Sequence, residues 1–189
     1  MSRVVRKLVK AGDVTGLIAL SRDPASRDRL ASLRGIMDCT EVHRDGILEA
    51  RQAILSVCVP LVRDRDPQIR HASLALVILL RDPSAPSVAA AALSDSSSSV
   101  RVLALGVFHL QPPGCLDDVI RLLHDEDEYV RSFAAAAIER VGDGSAVAVL
   151  QEARTHEPEQ HVRDKMAEVV DILEGRRPPT PIESYLEDG

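Results

Sequence analysis

The chain has 189 residues, 45% hydrophobic and 28% charged, with 23 Lys and Arg against 29 Asp and Glu for a formal net charge of −6. This is long and apolar enough for one domain with a sizeable core and excludes a disordered chain. The acidic balance, two Tyr, two Phe and no Trp argue against nucleic acid as a partner, because neither phosphate attraction nor base stacking is available. The longest apolar run, Leu74 to Leu80, is too short to cross a membrane, so no membrane partner is expected. The basic start (Arg3, Arg6, Lys7, Lys10) lacks the apolar stretch of a secretory leader. Cys39, Cys58 and Cys115 are odd in number and far apart, which reads as reduced thiols in a cytoplasmic protein.

In chain order, residues 1–12 form an amphipathic basic helix with Val4, Val5, Leu8 and Val9 on one side, expected to cap the first repeat. Residues 13–175 are repetitive. Four segments align without gaps: Asp64 to Arg70, Asp95 to Arg101, Asp125 to Arg131 and Glu157 to Arg163. Each opens with an acid and closes on Val or Ile followed by Arg, and the arginines are 31, 30 and 32 residues apart. A weaker copy, Asp23 to Arg29, lies 41 residues before Arg70, so an insert falls around residues 39–49. Such a period is the mark of a solenoid.

Apolar residues follow each Val-Arg pair at helical spacing, most clearly Val130, Ala134, Ala137, Ile138 and Val141, and Val162, Met166, Val169, Val170 and Leu173. Ser73 interrupts the stripe in the second repeat. A further apolar helix precedes each acid, at Val14–Leu20, Ala53–Val62, Ser87–Leu93, Leu116–Leu123 and Ala146–Ala153. Asp82-Pro83, Pro112-Pro113-Gly114 and Gly142-Asp143-Gly144 supply turns between units. Each unit is therefore a first helix, a turn carrying the acid, and a second helix opening near the Val-Arg pair. Residues 176–189 cannot extend the last helix through Pro178, Pro179 and Pro181 and form a Pro-rich acidic tail, either free or laid along the last repeat.

The run Asp125-Glu-Asp-Glu-Tyr-Val-Arg-Ser-Phe-Ala-Ala-Ala-Ala-Ile-Glu-Arg-Val-Gly142 resembles the short HEAT-like repeats of the phycobilin-lyase type. The resemblance spans about residues 13–175. It implies an all-α fold, an α-solenoid of about five HEAT-like helix pairs behind an N-terminal cap helix. Deoxyhypusine hydroxylase, built on similar repeats, binds iron through His-Glu pairs after the repeat arginines. Here those positions read His71-Ala72, Val102-Leu103, Ser132-Phe133 and Asp164-Lys165, so that site does not carry over. DNA glycosylases on a related solenoid need a basic, aromatic cleft that this composition does not provide.

The acids and arginines, Asp64 with Arg70, Asp95 with Arg101, Asp125 with Arg131 and Glu157 with Arg163, are expected to form a structural ladder between stacked repeats. No nucleophile, phosphate loop or Cys-His pair stands out, so the chain reads as a non-catalytic protein with no cofactor. Its expected activity is to scaffold a partner protein or peptide of basic or amphipathic character on the second helices of the repeats. The side chains expected to face that partner are His71, Ile78, Val102, His109, Glu139, Asp164, Glu168 and Asp171. Glu139, Asp164, Glu168 and Asp171 form an acidic cluster with no Lys or Arg at the same repeat offsets, and their mutual repulsion invites a cation. Two other readings stand beside this one. An accessory or chaperone subunit of a modification enzyme follows from the lyase-type resemblance. A metal enzyme would use the turn pairs His124-Asp125 and His156-Glu157.

Overall fold

The computed structural model describes residues 1–107 and 116–181. His109 and Cys115 lie outside the described residues. The fold is all-α, a solenoid of successive helix pairs, and the described residues contain eleven α-helices, one 3-10 turn and no strand. They fall into two compact units, Met1–Val88 and Ala89–Gly189.

In the first unit, α1 (Arg3–Ala11) precedes the pair α2 (Val14–Arg22) and α3 (Arg29–Val42), then the pair α4 (Arg44–Leu61) and α5 (Pro67–Leu79). The helix starts follow from local chemistry. The Ser2 hydroxyl accepts the Val5 N–H, Asp13 accepts the Gly16 N–H, and Asp66 accepts the Gln68 N–H with Pro67 in the first helical position. Gly12 ends α1 in the left-handed conformation, φ 65°, and the Gly12 and Asp13 N–H groups return to the Val9 and Leu8 carbonyls. Val5, Leu17, Leu33, Ile36, Ile54, Cys58, Leu76 and Val77 close the core of this unit. Its second helices stack directly, α3 on α5, and its first helices α2 on α4. The insert near residues 39–49 is absorbed into longer helices. A break before Ala53 is expected from sequence, yet α4 begins at Arg44, because Ile47, Ile54, Leu55 and Cys58 continue one buried stripe.

Helix α6 (Ala85–Ala92) lies at the division between the units. The second unit continues with α7 (Ser98–Gly106), α8 (Leu116–Arg121) running into the 3-10 turn Leu122–His124, α9 (Glu128–Val141), α10 (Ala146–His156) and α11 (Gln160–Leu173). Its second helices stack in the order α7, α9, α11. Val130, Ala134 and Ile138 of α9 and Val162, Met166 and Val169 of α11 are fully buried, so the 3.6-residue stripe is the packing face. Among the described residues no helix is long and apolar enough to cross a membrane.

Candidate interaction surface

The repeated acid and arginine meet in two ways. Within a repeat, the guanidinium reaches back six residues to the acid's own backbone carbonyl: Arg70 to Asp64 at 2.9 Å, Arg101 to Asp95 at 2.8 Å, Arg131 to Asp125 at 2.9 Å and Arg163 to Glu157 at 2.5 Å. Between repeats, Arg29 donates to the Asp64 carboxylate at 2.8 Å, Arg101 to Asp125 at 2.6 Å, and Arg131 to both oxygens of Glu157 at 2.7 and 2.8 Å. Arg29, the arginine of the degenerate first copy, thus enters the same arrangement.

Each acid also fixes its own turn. Asp64, Asp95, Asp125 and Glu157 accept the backbone N–H two residues ahead, from Asp66, Ser97, Asp127 and Glu159, which are the N-cap residues of α5, α7, α9 and α11. At Asp64, Asp125 and Glu157 one carboxylate so fixes the turn, orients the cap and receives the neighbouring repeat's arginine. The Arg131 hydrogen bond holds the Glu157 carboxyl below the usual range, while Glu157 raises Arg131. Burial raises the Asp64 carboxyl, but the Asp66 N–H and Arg29 outweigh it and the net shift is downward.

The acidic cluster is not an open, unneutralised patch. Glu139 is buried, 9% exposed, and its carboxylate accepts both the backbone N–H of Thr180 at 2.8 Å and the Thr180 hydroxyl at 3.1 Å. Arg140 donates to the Thr180 carbonyl. Arg176 forks onto Asp171 at 2.6 and 2.9 Å. Glu168 lies 2.8 Å from Lys165 and 3.1 Å from Arg177. Asp164 is exposed and accepts from Gln160 at 2.7 Å. The expectation of four self-repelling, solvent-facing acids is therefore corrected. Cations at other offsets and the segment 176–181 engage Glu139, Glu168 and Asp171, while Asp164 stays solvent-facing as expected, and helical spacing within one repeat cannot register a residue that returns from the following segment.

His71, Ile78 and Val102 are half-buried. Burial pushes the His71 imidazole down, with Arg34 adding to the effect. The largest exposed apolar groups among the described residues of the second unit were not among the expected partner residues: Tyr129 is 61% and Phe133 43% exposed. One helical turn apart on α9, they share a face with Ala136 and Arg140. The signal in the sequence was their position just outside the buried stripe, in a chain with only four aromatics.

The first unit carries an open groove of about 710 Å³ between α4 and the ends of α3 and α5, with Leu48 and Leu79 on its walls. Arg51 in this groove closes the end of α5 by donating to the Leu80 and Arg81 carbonyls at 3.0 and 3.1 Å.

The turn pairs named for a metal are engaged elsewhere: Asp125 and Glu157 in the ladder, and the His156 ring against Thr155 and the Glu152 carbonyl. Among the described residues, Glu128, Glu159 and His161 place their donor atoms within 4.8 Å of one another. The charges of both glutamates fall on Arg131, and Glu159 and His161 are exposed, so this trio reads as part of the surface network around the ladder.

Residues 86–171 match the family described as HEAT repeats. No curated protein matches the sequence. Among solved structures, the chain is similar to computationally designed armadillo repeat proteins for modular peptide recognition, with a TM-score of 0.66 at 19% identity over 88% of this chain and 84% of that one. A second designed armadillo repeat protein, solved in complex with the peptide (KR)4, aligns with a TM-score of 0.63 at 19% identity, covering 89% of this chain and 85% of that one. A third gives 0.60 at 21% identity, covering 89% and 85%. At these identities the likeness is one of fold.

Proposed function

We propose that this chain is a non-catalytic scaffold that holds an extended, basic or amphipathic segment of another protein on the second helices of its last repeats. The observation that carries the reading is the composition of the α9 and α11 surface. Exposed Tyr129 and Phe133 stand at one end of α9, and Glu139, Glu168 and Asp171 gather where an extended stretch of chain already lies. Aromatic groups of this kind supply contact area at low entropic cost, and flanking acids speed the encounter with a cation and set specificity. That a designed solenoid of similar fold was solved with a Lys-Arg peptide supports the same chemistry by analogy. Two buried free thiols, Cys39 and Cys58, suit a reducing compartment such as the cytoplasm.

The test is kinetic and uses the peptide (KR)4 as probe. The on-rate is measured for the wild-type chain, for Glu168→Lys with Asp171→Lys, and for Phe133→Ala, across a salt series. The charge variant slows association and flattens the salt slope, whereas Phe133→Ala acts mainly on the off-rate. Rates and slope unchanged in both variants would remove this surface from the function.

A further inference from the structure

The residues that satisfy the acidic surface come from one short segment, and its chemistry is that of the expected partner. Helix α11 ends at Leu173, and Gly175, φ 73°, reverses the chain in the left-handed conformation. The Arg176 and Arg177 N–H groups then return to the Asp171 carbonyl at 2.8 and 3.2 Å, which directs the chain back over the helices. Arg176 binds Asp171, Arg177 binds Glu168, and two prolines later Thr180 is held from three sides. Its N–H and hydroxyl donate to Glu139, and its carbonyl accepts from Arg140.

The segment 176–181 reads Arg-Arg-Pro-Pro-Thr-Pro. Three prolines leave only three amides: those of Arg176 and Arg177 close the end of α11 on the Asp171 carbonyl, and that of Thr180 donates to Glu139 of α9. Beyond that cap, the Arg176 and Arg177 side chains and Thr180 are matched to Asp171, Glu168 and Glu139. The anchors face acids, and those acids lie on two successive second helices. Glu139, a carboxylate only 9% exposed, receives both the amide and the hydroxyl of Thr180.

We propose that residues 176–181 are an internal ligand. They occupy the acidic surface of α9 and α11, and a segment of another protein bearing paired arginines followed by a hydroxyl residue takes the same place once they lift away. This rests on the scaffold reading above and adds a regulatory device to it, since a partner must first displace the chain's own segment. The apparent affinity is then reduced by the fraction of molecules in which the surface is free.

Two measurements test it on the full chain. The first is hydrogen exchange at the Thr180 amide, a single signal isolated between prolines. It is protected in the wild type and unprotected in Glu139→Ala. The second is fluorescence anisotropy with a labelled synthetic peptide of sequence Gly-Arg-Arg-Pro-Pro-Thr-Pro, titrated against the wild type and against Arg176→Glu, Arg177→Glu, Thr180→Ala. The triple variant alters only the segment, and its helical circular dichroism serves as the check on folding. A milder variant, Thr180→Ala alone, repeats the comparison if the triple variant loses structure.

The expected result is binding to the unlocked chain at least about tenfold tighter than to the wild type, abolished when Glu168→Lys and Asp171→Lys are added. An unprotected Thr180 amide overturns the docked segment. Protection without any gain in peptide affinity shows a structural strap and overturns the internal ligand. In that last case (KR)4 association still reports separately on the scaffold, because it responds to Phe133 and to the acids whether or not the segment competes.

Discussion

Arg131 and Glu157 illustrate how much one side chain does in this fold. Their side chains are 11% and 2% exposed, and together they join two repeats, fix the turn before α11 and present its cap. Acid weakens the arrangement in a defined order. The His71 imidazole lies below its ordinary value in the folded chain, so between that value and the unfolded pKa of about 6.5 the folded chain binds fewer protons. Its contribution is complete above about pH 6.5 and is lost as pH falls. The carboxyls of Glu157 and Asp64 are also held low, so their contribution is complete above about pH 4.3 and is lost as pH falls further, through their folded values. Urea midpoints should therefore fall in two steps, and His71→Gln should flatten the upper step, which begins below about pH 6.5, while leaving the lower one. A second prediction concerns Ser73, buried with its hydroxyl unpartnered. Ser73→Ala should raise stability by about 0.5–1 kcal/mol, read as a higher urea midpoint at unchanged slope, because it removes a desolvated polar group and improves helix propensity.

At the scale of the element, the repeat works because each helix start and stop is specified locally. Gly12 is one of two described glycines at positive φ, and a Cβ there would meet the His43 ring at 3.1 Å. Gly12→Ala should cost about 1–2 kcal/mol, measured by thermal or urea unfolding, since both the backbone conformation and the contact oppose a side chain. The other, Gly175, has open space around it and owes its place to chain reversal alone. That reversal was visible in the sequence as a helix stop followed by prolines. Its direction was not, because it is set by the Gly175, Arg176 and Arg177 amides closing on the Ile172 and Asp171 carbonyls, with Arg176 and Arg177 pairing to Asp171 and Glu168.

At the scale of the whole molecule, contacts within each unit run between neighbouring repeats, so damage should stay regional. Arg131→Ala leaves Glu157 buried without its cation and should cost about 3 kcal/mol. Hydrogen exchange should then rise across α10 and α11 while the amides of α1 to α3 keep their protection. Uniform loss of protection along the chain would show that the ladder acts cooperatively over all repeats.

The period of about 31 residues, the acid and arginine six apart, and the apolar stripe determined the helix pairs, their order and the solenoid, because these are properties of local spacing and one buried face. The same spacing placed Glu139, Glu168 and Asp171 near one another on successive second helices. What each carboxylate meets was decided only in three dimensions. Asp125 could be paired on paper with the arginine of its own repeat, yet it gives that residue its carbonyl and gives its carboxylate to Arg101. Glu139 read as a solvent-facing acid until the segment from Arg176 to Pro181 folded back across it. Periodicity describes a helix by its own axis, whereas burial depends on which distant part of the chain arrives at its surface.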